Sequence, residues 1–411
     1  MTNMKIDDKT SHNSPSLRFP EFTGEWEKCK LGTLATKVGS GSTPKGGDAV
    51  YTSIGHYFVR SQNVGMGFLM LDNIAHINDD IHQKHKATEI YKNDVLLNIT
   101  GASIGRTAVA TKELEGGNVN QHVCIIRTNS KVNPKFLCDY IQTQRIQNHI
   151  KSLQTGGSRE GLNFEQIRSF PISLPSINEQ NKLTCLLDKI NERIATQVRL
   201  IDRLQSLIKG IMVKLQQQGL SKGTWKRVPL SSILKERTEL NEGLLPVYSV
   251  SVSQGVVNQM EYLGRSFAAK DTSKYHVAHF GDLIYTKSPT GSFPYGIVKQ
   301  NSNRYKVAVS PLYGVYTPAN YFTGVFLQEY FKSEVNTFNY LHSLIQKGAK
   351  NTINITNQRF LDNYILIPTD SNDLQQISNL LLRLNAKKDL MQNMLQQYQE
   401  QKQYLLRQMF I

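Results

Sequence analysis

Apolar residues follow two different periods along this chain, and the change between them predicts its architecture. Between residues 16 and 176, short apolar runs such as Val95-Leu96-Leu97 are separated by Gly, Asn and Ser, which is typical of strands and loops. One helix is predicted after Asn133-Pro134, because proline suits the first helical turn and an apolar pattern with a period of about 3.6 residues continues to about Ile150. Pro318 leads into a similar pattern in the second half of the chain.

After Ser176 the apolar residues begin to alternate at spacings of four and three, which is the pattern of a heptad seam. This first seam consists of Leu183, Leu187, Ile190, Ile194, Gln197, Ile201, Leu204, Ile208, Ile211 and Leu215. A second seam near the C-terminus consists of Ile377, Leu381, Leu384, Lys388, Met391, Leu395, Tyr398, Lys402, Leu405 and Met409. Each seam covers about 40 residues, or about 60 Å of helix, which exceeds what one small module needs to cover its core. We expect two long helices that pack on each other as an antiparallel coiled coil.

The chain also repeats itself after about 200 residues, which indicates a duplication of one large module. Trp26-Glu27-Lys28 returns as Trp225-Lys226-Arg227, and Asn93-Asp94-Val95 returns as Gly281-Asp282-Leu283. The segment from Asn178 to Asn191 has its counterpart between Asn372 and Asn385. The sequence therefore predicts an α+β fold in which two similar strand-rich domains are each followed by a long helix. The predicted bounds are a disordered leader at 1–15, a first domain at 16–176, a helix at 177–218, a second domain at 219–370 and a helix at 371–411.

Composition points to a polyanionic partner. The chain has 48 Lys and Arg against 33 Asp and Glu, a formal net charge of +15, and such a surface gains free energy by displacing counterions from phosphates. The basic residues are spread through both halves, which does not favour a membrane surface as the polyanion. No apolar stretch approaches the roughly 20 residues of a membrane span, and no signal peptide is predicted. We expect a cytoplasmic protein with reduced cysteines, since no paired Cys spacing is present.

Four segments together resemble the specificity subunit of a type I restriction-modification system. They are LRFPEFTGEWEKCKLG at 17–32, GSGSTPK at 39–45, SFPISLPSINEQNKLTCLLDKIN at 169–191 and LLRQMFI at 405–411. The resemblance covers nearly the whole chain. Its second half departs from the pattern, because it lacks the RFPEF opening and starts directly at Gly223-Thr224-Trp225. We expect this departure to affect an edge contact more than function.

The resemblance implies that each strand-rich domain is a target-recognition domain that reads one half of a split double-stranded DNA site. It implies that the helices hold the halves at a fixed separation and dock two methyltransferase subunits, which use S-adenosylmethionine to methylate adenine N6. A translocating restriction subunit, which uses ATP and Mg, joins this complex in some assemblies. The chain itself would have no catalytic activity, no cofactor and no metal. The helix residues assigned to partner binding are Leu183, Leu187, Ile190, Ile201, Ile208, Ile377, Leu381, Leu384, Leu395 and Leu405.

Candidate DNA-binding residues follow from two physical demands. Phosphate contacts need Lys, Arg or exposed main-chain N–H groups, whereas base readout needs side chains such as Arg for guanine and Gln or Asn for adenine. In the first module the candidates are Lys45, Arg60, Gln62, Asn63, Ser103, Arg106, Gln121 and Arg159. In the second module they are Ser253, Gln254, Lys287, Ser288, Tyr295, Tyr313 and Lys350. The alternative for these polar residues is a solvated loop, and for the tyrosines a half-buried core position.

Other functions are weighed against this hypothesis. His76, Asp79, Asp80, His82 and His85 are metal-ligand types, although such residues also occur on ordinary solvated loops. Asp94 and Asp282 occupy matching positions at a strand start, where they would serve either a hidden nuclease site or, preferably, a turn cap. The chain has no methyltransferase, nucleotide-loop or hydrolase motif. The alternative function is a non-catalytic coiled-coil scaffold whose basic heads bind nucleic acid without sequence preference.

Overall fold

The chain forms two compact units, each of which contains one strand-rich module and part of each long helix. A computed structural model describes residues 13–154, 161–265, 268–347 and 353–411. The first unit contains the chain up to Thr196 together with Leu395–Ile411, and the second contains Gln197–Met394. Most of the predicted disordered leader lies outside the described residues. Asn13 is described, and its main-chain oxygen accepts a hydrogen bond from the Trp26 N–H.

Among its described residues, the first module has nine short strands, which form three small sheets, and five short α-helices. The strands are β1 (Glu27–Lys30), β2 (Ala35–Ser40), β3 (His56–Val59), β4 (Ala75–Ile77), β5 (Val95–Asn98), β6 (Thr107–Val109), β7 (Asn118–Val119), β8 (Val123–Thr128) and β9 (Pro171–Leu174). The helices are α1 (Leu31–Leu34), α2 (Asp79–Lys84), α3 (Pro134–Gln142), α4 (Gln144–Ser152) and α5 (Phe164–Arg168). The sheet orders are β1-β9, β2-β8-β5-β6 and β4-β3-β7, and β3 and β7 are parallel.

Helix α3 begins where the sequence predicts it. Asn133 is its N-cap and accepts a hydrogen bond from the Lys135 N–H, while Pro134 occupies the first turn, where it needs no N–H partner. The apolar face of α3 carries Phe136, Leu137 and Tyr140 into the core of the first unit. The helix at this position is interrupted at Thr143, which caps α4, so the predicted single helix is observed as two.

After the long helix α6 (Ile177–Ser221), the second module follows the same plan. Its strands are β10 (Trp225–Pro229), β11 (Leu234–Glu236), β12 (Val247–Ser251), β13 (Gly255–Asn258), β14 (His276–Ala278), β15 (Leu283–Tyr285), β16 (Val298–Gln300), β17 (Val307–Val309), β18 (Gly314–Pro318), β19 (Gln346–Lys347), β20 (Ile353–Asn354) and β21 (Tyr364–Pro368). Its helices are α7 (Gln259–Leu263), α8 (Tyr321–Phe331), α9 (Glu334–His342) and α10 (Asn357–Leu361), and α11 (Ser371–Gln408) is the second long helix.

The sheet topology confirms two similar strand-rich domains. The order β11-β18-β15-β16 repeats β2-β8-β5-β6, and the pair β10-β21 repeats β1-β9. The parallel pair β12-β17 repeats β3-β7. The modules differ most after β3 and β12: residues 60–74 connect β3 to β4, whereas residues 252–254 alone connect β12 to β13. A common frame therefore carries loops of different length.

Asp94 and Asp282 belong to this common frame. Asp94 accepts a hydrogen bond from the Tyr91 N–H at 2.7 Å, and Asp282 accepts one from the His279 N–H at 2.8 Å. Both carboxylates are buried and each is also held by two guanidinium nitrogens, from Arg127 and Arg237 respectively. The Asp94 carboxylate raises the pKa of Arg127 above its ordinary value. Both aspartates act as turn caps, which is the preferred alternative from the sequence.

The two long helices pack against each other and against both modules. In the first unit, Leu183, Leu187 and Ile190 from the start of α6 share a core with Leu405 and Leu406 from the end of α11. In the second unit, a core is formed by residues from the end of α6 and the start of α11, namely Leu204, Ile208, Met212, Leu374 and Leu381. Because the start of each helix meets the end of the other, the helices are antiparallel, as the seams predict.

The RFPEF segment fastens the first module to the start of α6. The Arg18 guanidinium contacts both oxygens of Glu179 at 2.7 and 2.8 Å, and the Trp26 indole N–H lies 3.3 Å from the same carboxylate. Glu179 is buried, so its charge requires these partners. The pairing with Glu179 raises the pKa of Arg18 above its ordinary value.

The last residues of α11 complete the aromatic core of the first unit. The Phe410 ring stacks on Phe136 with centroids 5.4 Å apart and meets the edge of Trp26 at 6.4 Å. The Tyr140 hydroxyl donates to the main-chain oxygen of Ile411.

Among the described residues, no helix has both the length and the apolar composition that a membrane span needs.

Replacing Phe410 with Ala should lower the free energy of unfolding of the first unit by about 3 to 5 kcal/mol, because it leaves a cavity among three aromatic rings. Tyr404→Ala is the matched control on the same helix, since Tyr404 is 50% exposed and its loss should cost about 0.5 kcal/mol or less. Denaturant unfolding of the full chain measures both values. Equal effects of the two substitutions would contradict this account of the core.

Candidate nucleic-acid interface

Four loops of the first unit lie together and carry most of its predicted DNA-binding residues. We call residues 41–45, 60–63, 99–106 and 120–122 the first loop cluster. The Gly41 N–H donates to the main-chain oxygen of Asn120 at 3.1 Å, and the Ile99 N–H donates to that of His122 at 3.0 Å. The Asn98 side-chain amide donates to the Ser61 oxygen at 2.8 Å. These hydrogen bonds join loops that are far apart along the chain.

Within the glycine-rich run at 39–45, the main chain at Gly41 passes very close to the main chain at Val119. A Cβ atom on Gly41 would lie 1.6 Å from the carbonyl oxygen of Val119, so no other residue fits without moving the backbone. The run therefore crosses the start of the β7–β8 connection. Lys45 follows this crossing and is exposed, which leaves its ammonium group accessible to a phosphate.

Arg60, Gln62 and Asn63 have different surroundings although they are neighbours in sequence. Gln62 is exposed, as base readout requires. Asn63 is 2% exposed; its Oδ1 accepts from the Arg60 N–H at 3.0 Å and its Nδ2 donates to the Met70 oxygen at 2.9 Å. The Asn63 amide thus holds the turn and is not accessible to a base edge, which corrects the prediction for this residue. The Arg60 guanidinium lies 5.2 Å from the centre of the Tyr51 ring and is half-buried.

Gln121 contributes to the structure of the cluster. Its Oε1 accepts from the Thr43 N–H at 3.2 Å, and its Nε2 lies 3.3 Å from the His122 ring. The His122 ring in turn contacts the Thr100 hydroxyl. Gln121 remains exposed, so the contact to Thr43 positions the loop at 41–45 without removing Gln121 from the surface.

Two further candidates lie on the loop between β5 and β6. Ser103 is half-buried and Arg106 is exposed, and Arg106 has no ion-pair partner among the residues that the structure describes. Helix α4 supports this loop, because the Gln147 amide donates to the Gly105 oxygen at 3.0 Å. Arg159 lies outside the described residues. Gly161, which follows it, forms a β-bridge with Thr100 in the cluster.

In the second unit, the exposed Ser253 and Gln254 occupy the turn between β12 and β13. The Gln254 N–H donates to the Ser251 hydroxyl at 3.3 Å, and the Lys299 ammonium donates to the Val252 oxygen at 2.7 Å. Burial lowers the pKa of Lys299 to about 8. This turn takes the place of the longer loop after β3 in the first unit.

The connection between β15 and β16 carries Lys287 and Ser288. Ser288 is exposed, whereas Lys287 is half-buried and has a positive φ of 55°. Burial lowers the pKa of Lys287 below its ordinary value. Lys350 lies outside the described residues.

The two tyrosines of the second module are half-buried, as the alternative hypothesis for them expects. The Tyr295 ring packs on Phe338 of α9 with centroids 5.4 Å apart. Tyr313 packs at the edge of a second small core, and burial raises its pKa above the ordinary value. The structure shows no contact that joins these tyrosines to Ser253 or Gln254 in the described part of the chain. The predicted residues of the second module therefore form a looser group than those of the first.

Sequence reasoning missed the structural task of Asn98, Gln147 and Lys299, whose side chains donate hydrogen bonds to main-chain oxygens of the loops. Asn98 and Lys299 end or interrupt apolar strand runs, in VLLN and IVKQ, and a polar residue within such a run was the available signal. Gln147 gave no signal, because polar residues are common on an amphipathic helix.

The seam residues assigned to partner binding are largely covered by other residues of the same chain. Leu183, Leu187, Ile190, Ile201, Ile208, Leu381 and Leu405 are buried, and Ile377, Leu384 and Leu395 are half-buried. A partner subunit would therefore contact other faces of the helices. Several apolar side chains on α6 and α11 remain exposed: Leu200, Leu207, Val213, Leu220 and Leu390.

The histidine-rich segment of the first module is held by ring stacking and hydrogen bonds. The His56 ring stacks on His82 with centroids 3.8 Å apart and hydrogen bonds to Asp79. His82 is buried and bonds to the Asn118 amide oxygen at 2.7 Å. His85 bonds to the Ser42 hydroxyl, which links α2 to the first loop cluster. Among the described residues, no three His, Cys, Asp or Glu side chains are arranged to hold a metal ion.

Comparisons with known proteins define the class. Residues 23–206 match the family model of the type I restriction modification DNA specificity domain. A stretch of 163 residues is 25% identical to the EcoBI specificity subunit of a type I restriction enzyme from Escherichia coli; it covers 38% of this chain and 34% of that protein. In this match the chain spans about a third of the relative's length.

Solved structures extend the likeness over the whole chain. The S subunit of a type I restriction-modification system from M. genitalium aligns with a TM-score of 0.62 and 13% identity, over 97% of this chain and 99% of that one. A chain from a structure on complex assembly and conformational transition of the type I R-M system aligns with a TM-score of 0.51 and 16% identity, over 93% and 96%. The fold is that of type I specificity subunits. The match of residues 23–206 to the type I specificity-domain model, together with these structures, confirms the resemblance inferred from the sequence.

Gln62→Ala and Asn63→Ala should differ in their effect on stability, because only the Asn63 side chain holds the loop. Asn63→Ala should lower the free energy of unfolding by about 1 to 3 kcal/mol, because it leaves the Arg60 N–H and the Met70 carbonyl unpaired. Gln62→Ala should leave stability unchanged within about 0.5 kcal/mol. Thermal unfolding of the two variants beside the unmodified chain measures this difference. A larger loss for Gln62→Ala would contradict the assignment of Asn63 as the structural member.

Proposed function

We propose that this chain is the DNA-recognition subunit of a type I restriction-modification complex, in which each unit reads one part of a bipartite double-stranded DNA site. The observation that carries the proposal is the repeated frame with two different sets of loops. The same sheet order supports a 15-residue connection after β3 and a three-residue turn after β12. Equal frames with unequal loops suit two half-sites of different sequence, because base contacts and not the frame carry the specificity.

The charge of the loops supports contact with DNA. Lys45 and Arg106 are exposed in the first loop cluster, and Gln62 is exposed beside them. In the proposed complex, the basic side chains contact phosphates and fix the register, while Gln62 reads a base edge. Ser253 and Gln254 have the corresponding task in the second unit. The net charge of +15 adds an attraction that falls as salt concentration rises.

The proposed subunit is not itself an enzyme. Asp94 and Asp282, the carboxylates considered for a nuclease, are each bound to an arginine and to a turn N–H, which supports a structural task for both. In this proposal S-adenosylmethionine binds to the methyltransferase subunits, and ATP and Mg bind to the restriction subunit. The protein acts in the cytoplasm, where its DNA substrate is found.

The proposed partners are two methyltransferase subunits and, in a larger assembly, restriction subunits. The duplicated module offers two equivalent positions, which supports a pair of methyltransferase subunits. The exposed apolar residues of α6 and α11 support a protein partner on the helices, because removing apolar surface from water in an interface is favourable. No membrane partner is part of the proposal.

Co-expression of the chain with the methyltransferase subunit of a type I system, followed by genome-wide mapping of N6-methyladenine, tests this function. The expected result is a bipartite methylated motif with a constant gap, which is absent when the methyltransferase subunit is expressed alone. A stable complex that methylates no motif, or binds all duplexes equally, would instead support the coiled-coil scaffold with nonspecific nucleic-acid-binding heads.

The helix pair should determine the gap between the half-sites. Insertion of one heptad in each helix, after Gln197 in α6 and before Met391 in α11, keeps both seams in register and adds about 10 Å. The methylated motif should then keep both half-sites and gain about 3 base pairs between them, at about 3.4 Å per base pair. An insertion in α6 alone is the control, because it shifts the part of α6 beyond Gln197 by one heptad against its partners on α11. An unchanged gap in the double-insertion variant would remove the helices as the spacer.

A further inference from the structure

The base-reading loops of the two units are each attached to the frame by a buried side chain that donates to main-chain oxygens. In the first unit this residue is Asn98, at the end of β5. Its Nδ2 lies 2.8 Å from the Ser61 oxygen and 3.5 Å from the Val64 oxygen, on either side of Gln62 and Asn63. Asn98 is 0% exposed, and its Oδ1 has no hydrogen-bond partner in the described part of the chain. Among the described residues, the hydrogen bonds of this side chain are thus all made to the loop.

In the second unit a residue at a different position, Lys299 in β16, makes a contact of this kind. Its ammonium group donates to the Val252 oxygen at 2.7 Å, in the turn that carries Ser253 and Gln254. Lys299 is 8% exposed, and burial, with Lys332 as a further cationic neighbour, lowers its pKa to about 8. Burying an amine costs free energy, so an apolar residue would be favoured here if the core alone mattered.

The two anchors occupy different positions of the common frame. Lys299 pairs with Ile284 in the second unit, and the residue at that position in the first unit is Ala108, which pairs with Leu96. Thr286 stands where Asn98 stands in the first unit, and its hydroxyl accepts from the Ile297 N–H instead of reaching a loop carbonyl. Each unit therefore has its own anchor, matched to the length of the loop that it holds.

We infer that Asn98 and Lys299 are positioning residues, each of which holds the base-reading loop of its own unit in register with DNA. This inference rests on the proposed function. An anchor that bonds to main-chain oxygens does not depend on which side chains the loop carries. Loop side chains such as Gln62 and Gln254 can therefore differ while the loop keeps its place.

Lys299→Met tests the inference, because methionine keeps the length of the side chain and removes the donor. The full chain is co-expressed with the methyltransferase subunit, and N6-methyladenine is mapped as above. The half-site read by the second unit should lose about tenfold in discrimination between matched and mismatched bases, while the other half-site is unchanged. Asn98→Leu should produce the reverse pattern. The unfolding temperature of Lys299→Met should not fall, since an apolar group replaces a buried amine.

Two control variants and the unmodified chain make the result decisive. Lys306→Met changes an exposed lysine of the same unit, which pairs with Glu239, and should leave both half-sites unchanged. Lys299→Arg restores a long donor and should restore discrimination. Equal effects on both half-sites, or no effect of Lys299→Met on a chain that otherwise gives a bipartite motif, would overturn the inference alone. If the unmodified chain gives no bipartite motif, the proposed function fails and the inference fails with it.

Discussion

The structure depends on the burial of two apolar helix seams against two strand-rich cores. Leu183, Leu187 and Ile190 of α6 close the first core together with residues from the end of α11, and Leu381 closes the second together with the end of α6. In each unit, the core that includes these helix residues also contains residues of the strand-rich module. Each helix contributes residues to both cores, so a change in a seam affects the module beside it.

Within this system the frame and the loops obey different constraints. The buried aspartate at the start of the central strand is kept in both units, but its arginine partner comes from β8 as Arg127 in one and from the end of β11 as Arg237 in the other. The frame requires that the buried carboxylate at this position is paired with a cationic side chain, because an unpaired buried charge is costly. The residue that supplies the compensation can move to a neighbouring strand.

The loops are under a weaker constraint on sequence and a stronger one on position. Recognition of a base edge needs a side chain held in a defined place, and main-chain hydrogen bonds provide this without specifying the loop's own side chains. The bond from Gly41 to Asn120 and the donors from Asn98 and Lys299 are all of this kind. A recognition subunit built in this way can acquire new base-reading side chains while its core stays intact.

The amino-acid pattern was sufficient for the α+β class, the duplication, the start of α3 at Pro134 and the antiparallel helix pair, because periodicity and capping are local properties of the chain. It also located the loops that gather in the first cluster. It did not distinguish Gln62 from Asn63, or foresee that Gln121 bonds to Thr43 across 78 positions of sequence. Nor did it show that the seam leucines also close the cores of the strand-rich modules. Exposure and hydrogen-bond partners arise from contacts between segments distant in sequence, so only the tertiary structure decided which polar side chains support a loop and which remain available to a ligand.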